Sequence, residues 1–130
     1  MRRSLGSGDR GSVPILSVDL ASGDYSDIGL VALERVEGSV VIAPIQLGSV
    51  GLRGRPEPAA LAEFLRSLAA EIGASAIGLD GPQGWKDVNN GCEHSRVCEA
   101  KLGTQGKTGL PGSTKPGNYL GFIQFCMSTF

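Results

Sequence analysis

Residues 58–80 read PAALAEFLRSLAAEIGASAIGLD. Leu61, Phe64, Leu65, Leu68 and Ile72 recur at the i, i+3, i+4, i+7 spacing of a helix that buries one side. Pro58 suits its first turn and Gly73 its C-terminal stop. The following AIGLD, at 76–80, is a short strand that ends in an acid. A strand entered through a crossover helix normally runs parallel to a neighbour in the same sheet. This segment therefore sets the fold class: α/β, with at least one parallel strand pair.

Upstream, VPILSVDL at 13–20 is a buried strand that also ends in an acid. ASGDYSD is a turn, and DIGLVALER at 27–35 is the second strand. Val36-Glu37-Gly38 forms a hairpin loop, with glycine where positive φ is expected. SVVIAPIQL at 39–47 is the third strand, and Pro44 places it at an edge or breaks it late. The predicted order is an antiparallel meander of three strands, a loop over 48–57, the crossover helix and a parallel fourth strand. Residues 1–12 offer almost nothing to bury and read as a disordered arm. Residues 13–130 then form one domain.

Downstream of position 80 the chain is rich in glycine and turns, with short helices expected near Ser95–Leu102 and from about Tyr119 onward. The closing YLGFIQFCMSTF is apolar to its last residue. It is expected to be exposed, or covered by a second copy of the chain in a homo-oligomer. An apolar run into the terminus also suggests a piece of a longer protein, with the fold incomplete at its C-terminal side.

Composition narrows the function classes. Apolar residues are 41% and charged residues 19% of the chain, which excludes a disordered charged tail. A net charge of −1 is not the whole-chain footprint of a nucleic-acid binder. Residues 1–80 carry seven basic and ten acidic groups and residues 81–130 five and three, so the C-terminal part is locally positive. No secretory h-region follows the two N-terminal arginines, and no run approaches a membrane span. The expectation is a cytoplasmic protein, with no membrane contact and with Cys92, Cys98 and Cys126 as free thiols.

Asp19 and Asp80 are the residues best placed for chemistry. If their strands are parallel neighbours, both carboxylates emerge at the sheet edge where ligands of open α/β sheets bind. Two close carboxylates repel unless a cation lies between them, which makes the pair a candidate Mg²⁺ or Mn²⁺ site. The competing reading is that each acid caps a loop or a helix start. Asp24 and Asp27 read as turn residues, and Trp85 as a packing anchor rather than a base-stacking platform. Cys92, His94 and Cys98 lack a convincing fourth zinc ligand, because Cys126 lies in an apolar segment. Gly106-Lys107-Thr108 carries the end of a phosphate-binding loop, but Lys101 stands where the pattern needs glycine. Lys101, Lys107 and Lys115 lie in a stretch without acids. They read either as phosphate contacts to a nucleic acid or nucleotide, or as a solvated loop.

The strand order, together with SVDLASGDYSDIGLVAL, is similar to the ribonuclease H fold. The stretches LDGPQGW, SRVCEAKL and GKTGLPG…KPGNY resemble an uncharacterised bacterial and archaeal family of predicted nucleases of that fold. The resemblance covers nearly everything after the arm and implies metal-dependent phosphodiester hydrolysis, with acids on strands one and four holding two ions. Asp19 and Asp80 match those positions. A third acid is supplied in many such proteins by the first helix. Here Glu63 points away from the apolar stripe and Glu71 lies at its margin. In the resolvase-like branch the remaining acids come from a C-terminal helix, and this sequence has no acid after Glu99. Catalysis by the chain as it stands is therefore expected to be weak or absent. The alternatives are an actin-like or sugar-kinase-like nucleotide-binding protein, which shares the topology, and a non-catalytic partner-binding domain.

Overall fold

Leu16 and Val18 are buried while Ile15, Ser17 and Asp19 are exposed, so strand β1 (Ile15–Asp19) presents one face to a core and the other outward. The computed structural model describes residues 12–130. Residues 1–11, most of the expected arm, lie outside the described residues. Ser12 is tied to the sheet: its hydroxyl donates to the Arg35 carbonyl and accepts from the Arg35 N–H, both at 2.6 Å.

β1 pairs antiparallel with β2 (Gly29–Val36), which pairs antiparallel with β3 (Ser39–Pro44). Helix α1 (Pro58–Ile72) crosses over to β4 (Ala76–Asp80), which lies parallel to β1. The sheet order is β3-β2-β1-β4. The α/β class, the meander and the parallel fourth strand therefore match the sequence reading. The β2–β3 turn places Glu37 at φ 49° and Gly38 at φ 83°, the two positive angles of a type I′ hairpin. β3 is an edge strand that stops at Pro44, whose ring removes a ladder donor. β2 starts later than expected, because Asp24 accepts from the Ser26 N–H and caps a 3₁₀ turn over Tyr25–Asp27.

α1 has its predicted bounds. The Glu57 carboxylate caps it by accepting from the Ala60 N–H at 2.8 Å, and Gly73 closes it at φ 67°. The buried Tyr25 hydroxyl accepts from the Glu57 N–H at 3.2 Å and so fixes where the helix begins. Leu61 and Leu65 are the fully buried members of the stripe, and Phe64, Leu68 and Ile72 are half-buried around them. Burying each leucine contributes about 1.5–3 kcal/mol.

The C-terminal region holds α2 (Val97–Leu102), the short strands β5 (Lys107–Thr108) and β6 (Thr114–Lys115), and α3 (Leu120–Thr129). α2 starts later than expected, because Ser95 is buried in the preceding loop, where its carbonyl accepts from the Asn90 amide.

The reading of the last segment is corrected. α3 packs against α1, and Phe125 and Cys126 belong to the same core as Leu16, Val18 and Leu61. Burial of these side chains by the chain's own first helix removes the motive for a homo-oligomer formed through this segment. Phe130, at the end of the segment, stays exposed, and other exposed apolar side chains include Val40 and Ile42 of β3, Ile15 on the outward face of β1, and Leu102. No helix among the described residues is long and apolar enough to cross a membrane.

Candidate active site

Asp19 and Asp80 are direct register partners at the C-terminal ends of β1 and β4. Neighbouring strands lie about 4.8 Å apart, so one strand spacing separates the two backbones. Both side chains fall on the exposed positions of their strands, on the sheet face away from α1.

The surroundings of the pair are small. Gly29 is the partner of Asp19 on β2, and a Cβ there would come within 3.3 Å of the Asp19 Cβ. Ser17 and Gly78 pair two residues behind the acids, on the same face. Space therefore opens on both sides of them. A cavity of about 340 Å³ on the Asp19 side is bordered by Asp27 and Gly29, and one of about 330 Å³ lies on the Asp80 side.

The donor chemistry suits a hard cation. Mg²⁺ is held by one or two carboxylates and keeps most of its waters, which the open space permits. Among the described residues no group of three or more His, Cys, Asp or Glu side chains is gathered around a common point. The pair thus fits one hydrated ion and does not by itself supply the donor set for two. Glu63 faces solvent and pairs with Arg66 at 2.9 Å, and Glu71 is exposed on the same helix. Neither belongs to the site.

Beneath the pair, the chain turns at Gly81 against Cys126. A Cβ at position 81 would lie 2.7 Å from the Cys126 Sγ and 3.1 Å from its Cβ. Burial, with the Asp80 charge adding to it, pushes the Cys126 thiol up to about 12, so it stays protonated. Gly81→Ala should destabilise the chain by about 1–3 kcal/mol through overpacking. The double variant with Cys126→Ala should lose less than the sum of the single variants in urea unfolding. Strict additivity would show that the two residues do not meet.

The three lysines differ in their commitments. Lys107 Nζ donates to the Glu99 carbonyl at 3.3 Å, tying down the end of α2, and Lys115 Nζ lies 3.0 Å from His94 Nε2. Glu93 Oε1 approaches the same nitrogen at 2.9 Å. Lys101 is exposed near the end of α2. The Gly106-Lys107-Thr108 stretch is no phosphate loop: Thr108 is fully buried, and its N–H and hydroxyl donate to Glu99 at 2.9 and 2.6 Å.

Glu99 was not singled out in the sequence, yet it organises this region. It is 5% exposed and also accepts from the Arg96 N–H at 2.9 Å and the Arg96 Nε at 3.1 Å. Burial alone would raise its pKa. The donors from Thr108 and Arg96 outweigh burial and hold the carboxyl below the usual glutamate range. Its contribution to stability is therefore complete above the ordinary glutamate pKa and is lost as pH falls through the lowered one. Trp85 is the single tryptophan, and the next residue, Lys86, donates its N–H to the Gly109 carbonyl. Tryptophan fluorescence should report an acid transition of this region below the ordinary glutamate range. Glu99→Gln should remove that transition and cost about 1–3 kcal/mol at neutral pH. An unchanged acid transition in the variant would assign it to another group.

No family model matches the sequence, and no curated protein or solved structure is significantly similar to it.

Proposed function

We propose that the chain carries a metal-dependent phosphodiester hydrolase site, that of a nuclease of the ribonuclease H-like kind. The observation that carries this reading is the in-register pairing of Asp19 with Asp80 on adjacent parallel strands, within the order β3-β2-β1-β4. The resemblance of LDGPQGW, SRVCEAKL and the 106–119 loop to a family of predicted nucleases points the same way. Asp19 and Asp80 would hold Mg²⁺ or Mn²⁺ through their carboxylate oxygens. When bound, such an ion supplies Lewis-acid charge for a phosphoryl group and acidifies water at the site. The small residue Gly29 keeps the approach on the Asp19 side open. Lys101, on the more basic C-terminal part, attracts the polyanion and contacts its phosphates.

Incubation with labelled single-stranded, duplex and branched DNA and with RNA, with and without Mn²⁺, tests the reading. Cation-dependent strand cleavage is expected, weak because only two acids are present. A second reading, nucleotide binding of the actin-like kind, is favoured by the cavity beside Asp80. Absence of all cleavage together with tight binding or hydrolysis of a nucleoside triphosphate would establish that one instead.

A further inference from the structure

The cavity of about 330 Å³ on the Asp80 side runs between α2, β5 and the start of α3. Its size is that of a small-molecule site. Its apolar lining includes Leu102, Tyr119 and Phe122. Leu102 is 79% exposed and so open to a ligand. The Tyr119 ring is backed by Gly106, where a Cβ would lie 3.7 Å from the ring Cδ1. Tyr119 is partly exposed.

The polar groups at the rim are held in place. Arg96 is fixed by Glu99, through Nε at 3.1 Å and the terminal nitrogen at 3.0 Å, and Thr104 Oγ1 donates to the Gly106 carbonyl at 2.9 Å. The slot thus brings together aromatic and aliphatic side chains, a cation held by Glu99 and the Asp80 carboxylate. A heteroaromatic ring suits each feature. Its faces stack on the apolar side chains, and its edge donors and acceptors meet Asp80 and Arg96.

We propose that this slot receives the planar base of a nucleotide whose phosphate lies at the Asp19–Asp80 pair. The proposal rests on the phosphodiesterase reading and narrows it. A base can enter the slot only when it is out of the duplex stack, so the substrate is single-stranded or locally unpaired nucleic acid. The chemistry recognised is a base joined through its sugar to phosphate, which a strand and a free nucleotide share. The experiment must separate the two.

The test is fluorescence-anisotropy binding of a short labelled oligonucleotide to the whole chain with Ca²⁺ present, scanning a single abasic position along the strand. Mononucleotides are titrated in parallel. Leu102→Gln and Tyr119→Leu are measured beside the unaltered chain, each checked for an intact fold by circular dichroism. The proposal expects about a tenfold loss of affinity at one abasic position, as for loss of a stacked base. It also expects that position to lose its distinction in both variants. A strand bound with equal affinity at every abasic position, and cleaved when Mn²⁺ replaces Ca²⁺, would overturn the slot and leave the nuclease reading standing. An abasic effect unchanged in both variants would also overturn it. Binding of a nucleoside triphosphate but of no strand, weakened by Leu102→Gln, would keep the base slot and remove the nuclease reading. Binding of neither would overturn both.

Discussion

Leu65→Ala should destabilise the chain by about 2–5 kcal/mol, measured by urea or thermal unfolding. Leu65 is 3% exposed, one helical turn from Leu61, which is completely buried. Both face the core that α1 shares with Leu16 and Val18 of β1 and with Phe125 and Cys126 of α3. Truncation would open a cavity where sheet and both helices meet, and rigid strands on one side limit collapse. Phe64→Ala or Leu68→Ala, at half-buried positions, should cost less. A loss under about 0.5 kcal/mol for Leu65→Ala would mean that this side of α1 is not core.

The same core explains which parts of the fold the sequence could show. The α1 stripe, its proline and glycine punctuation and the two acid-ended strands are local signals, and each led to the element found. That β4 runs parallel to a neighbour followed from the crossover rule, whereas β1 as that neighbour stood only as a condition, and its pairing with β4 is what brings Asp19 to Asp80. α3 was misread because LGFIQFCMST is apolar nearly all round and shows no preferred side. Only the position of α1 reveals which residues it buries. The Glu99 cluster was hidden for another reason. Glu99 and Thr108 lie nine positions apart on different elements, and no periodicity connects them. The available signal was an acid at the third position of a short helix, the place of a capping-box glutamate. The glycines at 29 and 81 likewise gained meaning only once β2 lay beside Asp19 and α3 beneath Asp80.

Asp19→Asn and Asp80→Asn should each reduce cation-dependent cleavage by at least about a hundredfold while leaving the fold intact, in keeping with the loss of a metal ligand. Asparagine keeps the shape of aspartate and removes the charge that attracts a hard cation. Both side chains are on the exposed face, so neither substitution opens a cavity in the core. Calorimetric titration with Mn²⁺ gives a readout independent of turnover: the unaltered chain should bind about one ion, and either variant should lose most of the affinity. Without metal, each variant should unfold at an equal or slightly higher temperature, because one of two neighbouring negative charges is gone. Asp27→Asn offers a control from the neighbouring cavity wall. It should keep Mn²⁺ binding if the register pair alone holds the ion. Full Mn²⁺ affinity in both Asp19→Asn and Asp80→Asn would place any metal elsewhere. Reduced cleavage with unchanged Mn²⁺ binding would make the two acids contacts of the substrate instead of the ion, and the proposed role of the pair would fail.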